Sequence, residues 1–205
     1  MNDIKIFENF LPEELLSRFV NILISGRGEV YYTQSEEEYE SDILEKNEFV
    51  HDNEPYLEIL KKHNVNLVDR KYDIQNVLLL RDVFGKDYNL NPCFFPYPWR
   101  DIDSFIQKTL SVKLPLRTKI NISFCKPTRS SGGFHTDMHN FKDTNIPHKT
   151  LIVYLNDNNG GTMLEDGTLI QNKRNTAVLF NGHTKHAPIS HTNTKRRVVL
   201  NYNFI

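Results

Sequence analysis

Apolar residues near the start of the chain recur at the spacing of one helix face. Pro12 precedes them at a position that a first helical turn tolerates, and Gly26 and Gly28 follow them as a stop signal. The pattern predicts an amphipathic helix between these signals. The six apolar residues that share the face are Leu15, Leu16, Phe19, Val20, Leu23 and Ile24.

Further helices are predicted at about residues 56–63 and 101–110, so the chain up to about residue 115 is interpreted as a helical support. The glutamate-rich residues 35–48 are predicted to be a solvated helix or loop. Residues 91–99 interleave prolines with aromatic residues, and the prolines exclude a regular helix or a central strand. Two interpretations stay open there: an aromatic plug over the core, or a loop that faces a substrate.

The period changes at about residue 117. Residues 118–124 alternate as a half-buried strand does, and residues 150–155 form a continuous apolar run that fits a strand covered on both faces. Shorter strands are expected at about Met163, Leu169 and residues 177–180, and residues 196–204 alternate again. The pattern predicts a single domain, 1–205, that is mainly β. Its core, at about 116–205, is a double-stranded β-helix of the jelly-roll or cupin-like type.

Composition narrows the class of protein. A chain of 205 residues that is 39% hydrophobic can bury one core, and a net charge of −1 argues against gripping a nucleic-acid backbone by bulk charge. Cys93 and Cys125 are far apart and suggest neither a metal site nor a disulfide framework, so a reducing, cytoplasmic setting is expected. The start lacks the apolar run of a signal peptide, and no stretch approaches membrane-spanning length, so no membrane partner is expected.

The residues that could carry chemistry lie in the β half of the chain. His135 and Asp137 form a His-x-Asp pair, and positions i and i+2 of a strand share one side, so one metal ion could take both. His186 could supply a third ligand from another strand. Two imidazoles and one carboxylate suit ferrous iron and leave coordination positions open. Arg196 could grip the carboxylate of a 2-oxo acid in bidentate fashion.

The order of these motifs resembles the prolyl 4-hydroxylase-like branch of the 2-oxoglutarate/Fe(II)-dependent oxygenases. The resemblance covers roughly residues 117–204, with some support from residues 6–11. It rests on His-x-Asp followed by Tyr154-Leu155-Asn156, Gly160-Gly161-Thr162, Ala177-Val178-Leu179-Phe180, His186 and Arg196.

This resemblance implies a role for each matched residue. His135, Asp137 and His186 would bind Fe(II), while Arg196 and Tyr154 would hold the distal carboxylate of 2-oxoglutarate. Arg196 would share the inward face of the last strand with Val198, Leu200 and Tyr202. The family often has Gly where this chain has Asn175, a mild departure because Asn tolerates left-handed conformations.

Two assignments have competitors. His183 competes with His186, which is favoured because Arg196 then follows at the family's usual interval of ten residues. Arg197 competes with Arg196, because strand alternation permits only one of them inside. The spare histidines, His139, His148 and His191, are expected to be surface or loop residues.

The resemblance implies an enzyme that hydroxylates a substrate C–H bond, consuming 2-oxoglutarate and O2 and releasing succinate and CO2, with ascorbate as an accessory reductant. Retention of Asp137 argues against halogenation, because halogenating relatives lack that carboxylate. The first expectation for the substrate is a prolyl or other protein side chain; a small metabolite, an amino acid or a nucleobase is the alternative. Loops 91–99 and 140–147 are expected to cover the substrate side.

Two further classes of protein stay open beside this enzyme. One is a non-catalytic cupin-like binding module, which should have lost a metal ligand or the arginine. The other is a cupin-type isomerase or dioxygenase that uses no 2-oxo acid and needs no terminal arginine.

Overall fold

Two β-sheets pack against each other in the computed structural model, which describes residues 4–25, 58, 61–67, 75–82, 97–138 and 146–205. Within those ranges the two long helices are α1 (Glu13–Ser25) and α2 (Tyr97–Leu110), and residues 58, 61 and 62 are also helical. The strands are β1 (Lys5–Phe7), β2 (Asn66–Leu67), β3 (Gln75–Asp82), β4 (Pro115–Phe124), β5 (Ser130–Ser131), β6 (Lys149–Tyr154), β7 (Gly161–Leu164), β8 (Leu169–Gln171), β9 (Ala177–Asn181), β10 (His186–Ile189) and β11 (Arg196–Phe204).

The larger sheet has the strand order β1-β9-β6-β11-β4-β3 and is antiparallel throughout. The smaller sheet has the order β2-β5-β10-β7-β8, in which only the β2–β5 pair is parallel. Strands β4 to β11 are therefore divided equally between two facing sheets, four in each, as expected for the predicted double-stranded β-helix. The segment before β4 also contributes β1, β2 and β3 to the sheets, where the sequence analysis expected only helices.

Both faces of the larger sheet are covered, which explains the continuous apolar run in β6. On the outer face, Leu151, Val153 and Leu200 pack with helices α1 and α2 in the main apolar core. On the inner face, Ile152 and Val199 pack with residues of the smaller sheet in a second cluster. Residues of one strand therefore alternate between the helix-facing side and the barrel interior.

The predicted helices near residues 12–24 and 101–110 are confirmed, but the second begins earlier than expected. Tyr97, Pro98 and Trp99 form its first turn, where proline costs little because the N–H that it lacks would have no partner. Trp99 is buried, with its ring 6.3 Å from Phe19 and 6.5 Å from Tyr202. Trp99 is thus an aromatic plug between helix and sheet. Residues 35–48 and 91–96 lie outside the described ranges.

Strand β3 was not predicted. Its centre, Val77 to Leu80, is a continuous apolar run without the alternation that marks a strand, and such a run fits a helix equally well. Pairing with β4 along almost its whole length decides the conformation. The strand conformation of β3 therefore depends on pairing with β4, which is distant in the sequence.

Asn175 fixes the segment before α1 to the barrel. It has a φ of 61°, and its side chain receives a hydrogen bond from Leu11 N and donates one to Leu11 O, both at 2.8 Å. Glycine at this position could adopt the same φ but has no side chain to bond Leu11. Asparagine satisfies the backbone and also pairs two buried peptide groups.

We expect Asn175→Ala to lower the free energy of unfolding by about 3 kcal/mol. The change leaves the buried N–H and carbonyl of Leu11 without their hydrogen-bond partners, and alanine tolerates the left-handed conformation less well than asparagine. Asn175→Gly should lose less, since it keeps the allowed φ. Denaturant unfolding of both variants measures the difference. Equal losses in the two variants would show that backbone strain contributes nothing.

An ion pair joins α1 to the turn before β9. Arg174 donates from Nη1 and Nη2 to the two carboxylate oxygens of Glu13, at 2.7 and 2.6 Å. Hydrogen bonds from Arg174 and Ser17 lower the pKa of Glu13 from 4.5 to about 2. A lowered pKa in the folded state stabilises the protein above pH 4.5, and that contribution is lost as the pH falls towards 2.

The pair is exposed, so its effect is expected to be small. Thermal melts of wild type and Glu13→Gln should differ slightly at pH 7 and converge as the pH falls to about 2 and below. A difference that stayed unchanged down to that pH would mean that Glu13 acts through packing rather than charge.

Among the residues described, neither helix has the length and apolar character required to cross a lipid bilayer.

Candidate metal and co-substrate site

His135, Asp137 and His186 come together at one end of the barrel. One ligand atom from each lies within 4.8 Å of the others. His135 and His186 exchange both backbone hydrogen bonds at 2.9 Å, which holds their strands in register and places the two rings 4.7 Å apart. Gly133, with a φ of 102°, turns the chain from β5 towards this contact.

Neighbouring groups hold the His186 ring in one orientation. Its Nδ1 lies 3.3 Å from the Thr184 carbonyl oxygen, and its Nε2 lies 3.5 Å from Asp137 Oδ2. A proton on Nδ1 satisfies the carbonyl and leaves the Nε2 lone pair directed into the cluster, as metal-binding histidines are commonly arranged. Phe180 packs edge-on against the ring at 5.1 Å and limits its rotation.

Asp137 is buried among donors. Burial raises the pKa of this carboxyl, but the charges of His186, Lys119 and His135 and hydrogen bonding from Asn201 outweigh it, so its pKa lies well below the usual range. Lys119 Nζ is 3.6 Å from Oδ1. The carboxylate is therefore ionised and able to serve as a ligand at any pH near neutrality.

His183 lies outside the cluster. It is partly exposed, its Nε2 is 3.3 Å from the Ile146 carbonyl oxygen, and its ring packs against His148 at 4.6 Å. Of the two competing histidines, His186 is the one that lies beside His135 and Asp137. His148 and His191 lie in loops, as expected, and both are buried, whereas His139 is outside the described ranges.

The arginine that enters the barrel is Arg197, and the inward placement of Arg196 was wrong. Arg196 is exposed at the start of β11, on the helix-facing side that it shares with Val198 and Leu200. Arg197 is buried, and it donates from Nε to Asn172 Oδ1 at 3.0 Å and from Nη2 to the Gly161 carbonyl at 2.9 Å. The expected register is therefore displaced by one residue.

Tyr154 lies in the same part of the interior. It is fully buried, its hydroxyl is 3.4 Å from the Ile170 carbonyl, and the Arg197 guanidinium carbon is 5.9 Å from its ring centre. Burial raises the pKa of Tyr154 above its ordinary value, so the phenol stays protonated and can donate a hydrogen bond. Gly160 leaves room beside Arg197, because a β-carbon there would lie 2.7 Å from the Ile189 carbonyl and 3.3 Å from Arg197 Cδ.

Four buried interior residues were not predicted from the sequence: Lys119, Asn172, Asn201 and Asn203. Asn201 donates to both oxygens of Asp137, at 3.0 and 2.9 Å. A usable signal existed, since polar residues at alternate positions of strands that are otherwise apolar indicate a polar patch on one face. The sequence of β4 or of β11 taken alone does not indicate which face of the strand carries this polar patch.

The arrangement has two chemically different parts. At one, two imidazoles and an ionised carboxylate converge and could hold a divalent transition metal ion. At the other, a buried guanidinium and a phenol could bind a carboxylate. Both parts lie in the space between the two sheets.

Comparison with known proteins places this fold. No protein-family model matches the sequence, and no curated protein matches it. Among solved structures, a prolyl hydroxylase from Trichoplax adhaerens, in complex with a peptide fragment of the hypoxia inducible factor oxygen degradation domain, superposes with a TM-score of 0.57 at 12% identity. The match covers 98% of this chain and 84% of that one.

Two enzymes of nogalamycin biosynthesis are also similar. The non-heme alpha ketoglutarate dependent carbocyclase SnoK matches with a TM-score of 0.54 at 10% identity, over 99% of this chain and 79% of its own. The epimerase SnoN matches with a TM-score of 0.54 at 10% identity, over 100% of this chain and 78% of its own. At identities this low, the superpositions establish a shared fold and nothing more. The predicted double-stranded β-helix is confirmed.

Proposed function

We propose that this protein is an Fe(II)- and 2-oxoglutarate-dependent dioxygenase that hydroxylates a C–H bond of its substrate. In that reaction 2-oxoglutarate and O2 are consumed and succinate, CO2 and the hydroxylated product are released. The observation that carries the proposal is the cluster of half-buried His135 with buried Asp137 and His186, inside a barrel that also holds a buried arginine. Either feature alone would be weak support.

The donor set fits ferrous iron. Two neutral imidazoles and one carboxylate occupy three positions and leave the others for co-substrate and O2, whereas zinc sites of structural type close with four protein ligands. When bound, iron would use electrons from 2-oxoglutarate to activate O2, which provides the oxidant. His135 and His186 would donate ring nitrogens, and Asp137 would bring the negative charge that favours a divalent ion.

Arg197 and Tyr154 fit the distal carboxylate of 2-oxoglutarate. The guanidinium supplies a buried positive charge, and the protonated phenol supplies a neutral donor. In the structure the guanidinium is held by Asn172 and the Gly161 carbonyl, so its direction is fixed before a ligand arrives. Such preorganisation lowers the entropy cost of binding and positions the 2-oxo end relative to the cluster.

The chain also keeps bulk water from the reacting groups. Ile152, Val178, Phe180 and Val199 line the interior between the two sheets as a buried apolar cluster. A dry interior strengthens the ionic contacts of Asp137 and Arg197 and limits side reactions of the oxidant.

The substrate that we propose first is a peptide, with a prolyl side chain as the reacting group. The peptide complex of the similar prolyl hydroxylase supports this choice. A small metabolite is the second candidate, supported by the two enzymes of antibiotic biosynthesis with the same fold.

The test is conversion of 2-oxoglutarate into succinate by purified protein with Fe(II), ascorbate and O2, with and without a library of proline-containing peptides. Slow turnover alone, raised by one peptide together with a +16 mass shift, supports the full proposal. Turnover raised only by small metabolites would keep the reaction and replace the substrate class. Absence of succinate under every condition, in protein shown to bind Fe(II), would refute the proposal.

A further inference from the structure

A row of buried polar side chains ends at the Asp137 carboxylate. Thr150 Oγ1 donates to Asn203 Oδ1 at 2.8 Å, and Asn203 Nδ2 donates to Asn201 Oδ1 at 3.0 Å. Asn201 Nδ2 then donates to both oxygens of Asp137. We call Thr150, Asn203 and Asn201 the amide chain. All three side chains are buried in the barrel interior, and Thr150 and Asn203 are fully inaccessible.

The direction of the amide chain is set by the carboxylate. An ionised carboxylate only accepts hydrogen bonds, so Asn201 must present its amide nitrogen to Asp137 and its oxygen to Asn203. Asn203 must then present its nitrogen to Asn201 and its oxygen to Thr150, which leaves the hydroxyl of Thr150 as the donor. Each member therefore has one orientation that satisfies it; flipping the Asn203 amide would break two contacts and flipping the Asn201 amide three.

The strand pairing builds this chain. Asn201 and Asn203 are two residues apart on β11, so they point to the same side, and Thr150 of β6 lies directly opposite Asn203. Asp137 instead follows β5, which belongs to the smaller sheet. The amide chain therefore ties the segment that carries Asp137 to the centre of the larger sheet.

The two oxygens of Asp137 have different neighbours. Oδ2 lies on the side of His186 Nε2, at 3.5 Å, and Oδ1 lies on the side of Lys119 Nζ, at 3.6 Å. Asn201 contacts both oxygens at once, which fixes the plane of the carboxylate as well as its position. Rotation about the Cβ–Cγ bond would cost at least one of these contacts.

We propose that the amide chain is a positioning device that holds the Asp137 carboxylate in the orientation in which it binds the metal ion. This inference rests on the metal site proposed above. Three amide or hydroxyl groups inside an apolar barrel stabilise the fold little in net terms, because apolar side chains of similar size would pack there without needing partners. Their value lies in the one orientation that they impose on a ligand.

Thr150 offers the sharpest variants, because it is the member farthest from the metal and touches Asp137 only through the two asparagines. Thr150→Val keeps the shape and removes the hydroxyl, while Thr150→Ser keeps the hydroxyl. Asn201→Leu removes the last link directly. The measurements are the affinity for Co(II) by equilibrium titration and the visible spectrum of the Co(II) protein, which reports coordination geometry.

We expect Asn201→Leu to weaken Co(II) binding roughly 10- to 100-fold and to alter the spectrum, as loss of groups that orient metal ligands does. Thr150→Val should act in the same direction by a few-fold, and Thr150→Ser should restore wild-type affinity and spectrum. The thermal stability of the metal-free protein is recorded alongside.

The outcomes are separable. Wild-type affinity and an unchanged spectrum in both Thr150→Val and Asn201→Leu, with only the metal-free stability altered, would overturn the positioning role and leave the metal site standing. If Asn201→Leu does not fold, the Val and Ser variants of Thr150 decide the question. A wild-type protein that binds no Co(II) or Fe(II) would overturn both this inference and the proposed function.

Discussion

His186→Ala is expected to abolish iron binding and turnover, and His183→Ala is expected to leave both close to wild type. His186 lies within reach of Asp137 and His135, so its removal leaves two of three ligands. His183 contacts the Ile146 carbonyl outside the cluster. The two histidines are three residues apart, so the pair is a matched test of position.

His135→Ala and Asp137→Ala should match His186→Ala in iron content and turnover. The fold should survive in each, because the ligands lie between the two sheets whereas the main core lies on the opposite face of the larger sheet. Iron content by metal analysis, succinate formation and circular dichroism together check this. Iron retained by His186→Ala and lost by His183→Ala would contradict the assignment of the third ligand.

Arg197→Met is expected to raise the apparent KM for 2-oxoglutarate far more than it changes iron affinity. A hydrogen-bonded contact to a charged group contributes about 1.5–3 kcal/mol, which corresponds to roughly a 10- to 100-fold loss. The KM of Arg197→Lys should lie between those of wild type and Arg197→Met, because lysine keeps the positive charge but loses the planar guanidinium. Tyr154→Phe should act in the same direction and more weakly.

Arg196→Ala is the matched control, because Arg196 is one residue away and exposed at the start of the same strand. It should leave the KM for 2-oxoglutarate near wild type. Because Arg197 also contacts Asn172 and the Gly161 carbonyl, the melting temperature of each variant is measured with the kinetics. A raised KM in Arg196→Ala, with Arg197→Met unaffected, would contradict the placement of the buried arginine.

The case of Arg196 and Arg197 shows what periodicity can and cannot predict. Alternation along β11 correctly sorted its residues into two sets. Both faces of the strand are buried after Arg196, however, one under the helices and one under the smaller sheet. Hydrophobicity alone could not tell the helix-facing side from the barrel interior. The usual interval from the histidine pointed to Arg196, and packing places its neighbour inside.

The ligand cluster was predictable because its signals are local or ordered. His135 and Asp137 are two residues apart, and His186 was favoured over His183 by spacing. The amide chain was not predicted, because Thr150, Asn201 and Asn203 meet only through the pairing of β6 with β11. Strand β3 shows the same limit, since its conformation depends on a partner about forty residues away in the sequence.

The central claim is that one barrel holds both a metal ion and a 2-oxo acid, each bound by the residues assigned here. Anaerobic calorimetric titration of 2-oxoglutarate into Fe(II)-loaded protein tests it most directly, repeated on metal-free protein and on Arg197→Met. The prediction is binding of one molecule per chain with Fe(II), much weaker binding without the metal, and similarly weakened binding in Arg197→Met. Binding that was equally tight with and without metal and in Arg197→Met, or no binding to the Fe(II)-loaded protein, would contradict it.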